Sequence, residues 1–251
     1  MADFCIEIAG QTAQIHSLFE STRDYCRAYL TDKSPAFFIT VTQDDLQFEQ
    51  DLYLAEAKEE GFRIRYFTDP FLERSAIQRK LAEQLLEHDI LLLHGSAVAV
   101  DGQGYLFTAK SGTGKSTHTR LWREAFGSRA VMVNDDKPFL RFTDSGILLC
   151  GSPWSGKHGL DTNITVPLTG ICILTRGAEN SILPISASDA EAMLRHQSCP
   201  PLDPRRLPKY HALLSALLER VPLWQMACTK ELQAAHIAHA AMSKAGPLSP
   251  C

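Results

Sequence analysis

The stretch Ala109-Lys-Ser-Gly-Thr-Gly-Lys-Ser-Thr-His-Thr-Arg120 decides how this chain is read. A phosphate loop has the form Gly, four residues, Gly-Lys, then Ser or Thr. Ala109 stands at the first position, and Gly112, Gly114, Lys115 and Ser116 match the rest. The alternative is a Gly/Ser loop that merely opens a helix, so context has to choose. A phosphate loop follows a strand and starts a helix. Gly104–Ala109, "GYLFTA", alternates like a strand, and "THTRLWREAFG" reads as a helix stopping at Gly127.

The residue types suit polyphosphate. Glycines allow backbone N–H groups to turn inward around phosphate oxygens. The helix start adds unpaired N–H groups and a positive dipole end. Residues Ala109, Lys110, Ser111, Gly112, Thr113, Gly114, Lys115, Ser116 and Thr117 are thus the expected nucleotide cradle. Lys115 would bridge the outer phosphates, and the Ser116 hydroxyl would ligate Mg²⁺, a cation that takes hard oxygen donors.

Downstream, "AVMVNDD" is an apolar strand ending in Asp135 and Asp136. An acid at such a strand end holds Mg²⁺ in nucleotide enzymes. Two adjacent acids allow two roles: Asp135 on the metal side, and Asp136 accepting a proton from an attacking hydroxyl. Asp after a strand is also a common turn or cap, and the upstream loop tips the choice. In "PWSGKHGLDTN", Lys157 and His158 sit between glycines beside Trp154, where a mobile cationic loop would fold over a transferring phosphate or grip the acceptor, the alternative being a plain surface loop. Asp161 and Asn163 are weaker metal-side candidates.

Outward from this centre, Pro70–Asp89 carries a helical apolar face through Phe71, Leu72, Ile77, Leu81, Leu85 and Leu86. "ILLLHGSAVAVDGQGYLFTA" holds two strands joined by a hairpin turn at "DGQG". "RAVMVNDDKPFLRF" reads as a buried strand with acids at its end, and the segment from Asp144 to Gly177 holds two more strands around a polar loop. "SASDAEAMLRHQ" reads as a helix with a capping box of Ser188 and Glu191. After the Pro-rich "CPPLDPRRLP" come a Leu-rich helix, the strand "VPLWQMAC" and a closing helix capped by Thr229. His236 and His239 read as a solvated edge of that helix. "FCIEIAG", "AFFITVTQ" and "FRIRYFTD" suggest that residues 1–69 form a small strand-rich unit and residues 70–251 a second, nucleotide-binding one. The fold class expected is α/β.

Bulk properties exclude several functions. Net charge is -4 with no basic stripe, so no nucleic-acid partner is expected. No apolar run approaches the roughly 20 residues that span a bilayer. The N-terminus lacks a basic region ahead of an apolar one, so no membrane or secretion role is expected. Seven scattered cysteines, none in a C-x-x-C pair, read as free thiols of a reducing cytoplasm.

"LLHGSAVAVDGQGYLFTAKSGTGKST…AVMVNDD" resembles the HPr kinase/phosphorylase family, most of all its bacterial HPr-kinase-related members, and more distantly the nucleotide domain of phosphoenolpyruvate carboxykinases. The resemblance covers about Leu92 to Leu140. It implies a P-loop kinase core with catalytic His94, phosphate-binding Lys115, Mg²⁺-binding Ser116 and general base Asp136. It also implies ATP and Mg²⁺ as cofactors, a serine or other hydroxyl of a protein, peptide or small molecule as acceptor, and a homo-oligomer. Thr117 stands where that family has Glu, and the family's downstream Mg²⁺-binding Glu signature is replaced by "PWSGKHGLDTN". A nucleotide-dependent binding module without phosphotransfer is the alternative, although such a module has no need of an acid aimed at an acceptor.

Overall fold

The computed structural model describes residues 1–61 and 63–244. Its backbone divides into two units, Met1–Leu85 and Leu86–Cys251.

In the first unit, β1 (Ala2–Ile8) and β2 (Gln11–Ser17) form an antiparallel hairpin. Its two-residue turn has positive φ at both Ala9 and Gly10, the hairpin geometry that matches strand twist. β3 (Phe37–Thr40) lies parallel to β2. Helices follow: α1 (Glu20–Tyr25), α2 (Gln43–Glu60) and α3 (Asp69–Leu85). The unit is therefore not the strand-rich one expected. An 18-residue helix, capped by the reciprocal Thr42–Asp45 box, fills the segment around Tyr53. Residues 63–68 of the expected third strand have no regular structure, and Phe62 lies outside the described residues. Pairing decides this. Gln11–Ser17 finds a partner in β1, whereas α2 ends in left-handed Gly61 and its Gln50 side chain bonds the backbone of Arg65 and Phe67 instead.

α3 is the helix expected from the apolar spacing after Pro70. Its buried face, including Leu72, Ile77 and Leu81, packs on α2, β2 and β3. The division thus falls after Leu85, because the helix joins the first unit's core.

The second unit is built on a mixed sheet of nine strands. They are β4 (Ile90–Leu92), β5 (Ser96–Val100), β6 (Gln103–Thr108), β7 (Ala130–Asn134), β8 (Phe139–Thr143), β9 (Gly146–Cys150), β10 (Thr165–Arg176), β11 (Ser181–Pro184) and β12 (Leu223–Cys228). The order is β4-β8-β9-β10-β6-β5-β7, with β12 parallel to β10 and β11 antiparallel to β12. β6, β10 and β12 run parallel. The helices are α4 (Lys115–Phe126), α5 (Ala187–Gln197), α6 (Leu207–Arg220) and α7 (Gln233–Met242). Alternate residues of the strands feed two cores. Leu106, Ile171, Ile173 and Leu223 face α5 and α6, whereas Phe107, Cys172, Leu174 and Met226 face α4 and α7. The "DGQG" hairpin joins β5 to β6 as expected, with positive φ at Asp101 and Gly102.

Several local readings are corrected. The expected single strand "RAVMVNDDKPFLRF" is two strands, because Asn134 bonds the backbone N–H groups of Asp136 and Lys137 and forces a turn. α5 is capped by Ser186 with Asp189, not Ser188 with Glu191. Thr229 accepts the Glu231 N–H in the turn ahead of α7 but does not cap the helix, whose N-cap position is Leu232. His239 packs on Trp122, Tyr105 and Phe126 and is no solvated edge, although His236 is exposed. Among the described residues, Cys5, Cys150, Cys172 and Cys228 are free thiols. Among the described residues no helix is long and apolar enough to cross a membrane.

Candidate functional site

β6 delivers the chain into the glycine-rich loop, and α4 leaves it at Lys115. Gly112 has φ 74° and Gly114 φ 123°, backbone that side-chain-bearing residues adopt only under strain. Gly114 occupies the N-cap position of α4 without a side-chain cap. The first-turn N–H groups there are therefore open to an outside acceptor. Ala109 is fully buried in the core on the α4 side, so the residue replacing the pattern's first glycine anchors the loop by packing. The Lys115 ammonium donates to the Ala109 carbonyl at 3.2 Å, curling back over the loop.

The sheet curls so that β7 approaches the segment after β9. Asn134 forms an isolated bridge with Asp161, the Thr162 N–H bonds the Val133 carbonyl, and Asn134 Nδ2 donates to the Ser152 carbonyl at 2.8 Å. This closure fixes the start of the Asp135-Asp136 turn against the segment after β9. The His94 backbone is fixed from two sides, donating to the Gln197 carbonyl and accepting from Thr108 Oγ1. Gly95 N–H reaches the Asp136 carbonyl at 2.9 Å, so the His-Gly pair and the acid turn are bonded directly.

Asp136 and His94 form a pair, Nε2 to Oδ1 at 3.1 Å, each side chain about one-third exposed. Burial pushes His94 below its ordinary pKa, with Lys137 and Lys115 adding to it against the pull of Asp136. Burial alone would raise Asp136. The His94 hydrogen bond and the charges of Lys137 and Lys115 outweigh it and hold the carboxyl below its usual range. At neutral pH the pair is thus a carboxylate beside a neutral imidazole. Burial and Lys137 lower the Lys115 pKa, while Asp136 and Asp135 oppose them, so the lysine sits within electrostatic reach of both acids.

Asp135 is buried, and its Oδ1 accepts from Ser96 Oγ at 2.6 Å. Ser96 also meets Thr119 Oγ1 at 2.7 Å, and Thr119 reaches back to the Ser116 carbonyl at 3.3 Å. This chain ties the acid to the first turn of α4, where Ser116 lies. A serine hydroxyl and a carboxylate are hard oxygen donors suited to Mg²⁺, which keeps several waters and rarely takes an all-protein cage. No group of three His, Cys, Asp or Glu with metal-site geometry occurs among the described residues.

The second loop contributes differently from expectation. Lys157 and His158 are exposed on a 3₁₀ turn, Gly156–His158, and it is Gly156 that meets the acid. Gly156 has φ 67°, and a Cβ there would lie 3.2 Å from Asp136 Cβ. Asp161 accepts from Ser155 Oγ at 2.5 Å and holds this loop's shape. Sequence reasoning passed over Ser96, Thr119, Asn134, Lys137, Gly156 and Arg176. Asn134 had a signal, since an amide ahead of two acids at a strand end is a turn former. Arg176, which donates to the Gly112 carbonyl at 2.7 Å, is 64 residues away in sequence and had none.

No family model matches the sequence, and comparison with curated proteins finds no match. Among solved structures, the Hpr(Ser) kinase/phosphatase from Coxiella burnetii is similar at 11% identity and a TM-score of 0.37, over 61% of this chain and 97% of that one. A likeness of that degree assigns no residue a role.

Proposed function

We propose that this protein is an ATP- and Mg²⁺-dependent kinase that transfers a γ-phosphoryl group to a hydroxyl acceptor, a serine of a protein or peptide or a small molecule. One observation carries the reading: the Asp136–His94 pair and Lys115, at the start of α4, share one electrostatic site beside a loop with open N–H groups.

The loop backbone from Ala109 to Thr117 and the Lys115 ammonium hold the polyphosphate. Ser116 and Asp135 hold Mg²⁺, which when bound neutralises phosphate charge and polarises the transferring group. Asp136, ionised at neutral pH, accepts the acceptor's hydroxyl proton. The freed oxygen forms its bond to the γ-phosphorus as the bond from that phosphorus to the β–γ bridging oxygen breaks, and ADP leaves with the electron pair. Neutral His94 orients Asp136. Lys157 and His158, on an exposed turn whose Gly156 lies against Asp136, would meet the acceptor side.

The test is transfer of labelled γ-phosphate into cell extract or a peptide library. Lys115→Ala weakens nucleotide binding. Asp136→Asn keeps binding and abolishes transfer. Undiminished transfer by Asp136→Asn refutes the base assignment. ATP-dependent capture of a partner without any labelled acceptor establishes a binding module instead.

A further inference from the structure

A cleft of about 740 Å³ opens on the other side of the glycine-rich loop from the acids. β6 has β5 as one neighbour and β10 as the other. His94 and Asp136 belong to the β5 side. The cleft lies on the β10 side, along Ile173 to Arg176 at the end of β10 and Gln225 of β12, and its wall includes the loop residues Lys110 to Thr113. Among the described residues, His94, Lys115, Asp135 and Asp136 take no part in its lining. Ligands of α/β sheets bind outside the carboxyl ends of parallel strands, as here.

Its chemistry is selective. Ile173 and Gln225 are directly paired across β10 and β12, side by side on the face turned to α5. Ile185 and Met193 add apolar surface above them. Gln225 is exposed in this apolar setting and presents one amide donor and one acceptor. That pair matches the N6/N7 edge of adenine, which glutamine bonds in bidentate fashion. Arg176 reaches from the end of β10 to the Gly112 carbonyl, placing positive charge where cleft meets loop. The volume falls in the range of small-molecule sites, about 300–1,000 Å³.

We infer that this cleft takes the adenine nucleoside of the triphosphate, with the ring between Ile173 and Met193, its edge on Gln225, and Arg176 at the junction of ribose and phosphates. The inference rests on the loop holding the phosphates. It follows from connectivity: a group covalently joined to phosphates in the loop can lie in a cleft walled by that loop, whereas an acceptor has to approach Asp136 on the opposite side.

The test compares Mg²⁺-dependent binding of ATP, GTP and inorganic tripolyphosphate by calorimetry. Ala192, exposed on α5 at the cleft wall, allows a bulky block without disturbing the core. Wild type binds ATP at least about tenfold more tightly than tripolyphosphate, the scale expected for burying a base. Ala192→Trp brings ATP down to the tripolyphosphate level and leaves tripolyphosphate binding unchanged, which also shows the variant folded. Gln225→Ala narrows the preference for ATP over GTP. If tripolyphosphate binds as tightly as ATP, or Ala192→Trp leaves ATP affinity intact or weakens both ligands equally, the cleft assignment is overturned while the loop reading stands. If neither ligand binds wild type, both fall.

Discussion

His118, one turn into the helix that carries Lys115, makes the fold's acid sensitivity calculable. Its side chain is 1% exposed, set among Phe107 and Trp122. Trp122 Nε1 donates to His118 Nε2 at 3.0 Å, so the neutral ring carries its proton on Nδ1, which has no hydrogen-bond partner. Protonating Nε2 would break that bond and charge a ring enclosed by aromatic surface. Burial accordingly pushes the pKa from its ordinary 6.5 down to about 4. The folded value lies below the unfolded one, so the unfolded chain takes up the proton first. The stabilisation is complete above the unfolded value and is lost as pH falls towards the folded one. That gap corresponds to about 3 kcal/mol in all, about 2 kcal/mol of it between pH 7 and pH 5. Denaturant unfolding followed by tryptophan fluorescence reads it, because all three tryptophans, Trp122, Trp154 and Trp224, lie in the second unit. His118→Gln keeps an acceptor for Trp122 and cannot titrate. Wild type should lose about 2 kcal/mol more than the variant between pH 7 and pH 5. Equal losses, within about 0.5 kcal/mol, would refute the account of a neutral buried His118.

Gly156→Ala combines a strained φ with a methyl tight against Asp136, so phosphoryl transfer should fall roughly tenfold to a hundredfold while nucleotide affinity holds, as a Kd and kcat comparison will show. Asn134→Ala strips the acceptor from the Asp136 and Lys137 N–H groups in a half-buried turn and should cost about 1–3 kcal/mol by denaturant unfolding. In His94→Ala, Asp136 loses the hydrogen bond that helps hold its pKa down against burial, so the acid limb of the transfer rate should move to higher pH. A move to lower pH would assign that limb to His94 itself. The stabilisation that goes with the lowered Asp136 pKa is present above its unfolded value and is lost as pH falls through the folded one.

Periodicity made much of the fold legible. α3, α4, α5 and α6, the β5–β6 hairpin and β12 follow from apolar spacing and turn residues in a single local window. α2 did not, because its apolar residues are sparse and its Thr42–Asp45 box was the sole strong local signal. β11 depends on a partner distant in sequence, whereas the split between β7 and β8 had a local signal in the turn-forming Asn134. At the site, the loop and the acid pair have a local spelling and His94 came only from the family resemblance; the structure pairs His94 with Asp136 and sets Lys115 within electrostatic reach of both acids. Their supports were not legible. Ser96 reaches Asp135 across 39 residues and Arg176 reaches Gly112 across 64, connections that only the folded sheet creates.

The central claim is tested most directly by a crystal structure with Mg²⁺ and a non-hydrolysable ATP analogue. The account predicts phosphates wrapped by the amides of Ala109–Thr117, with the terminal phosphorus within about 5 Å of the Asp136 carboxylate once an acceptor oxygen is allowed for. Phosphates bound elsewhere, or a terminal phosphate turned away from Asp136, would contradict it.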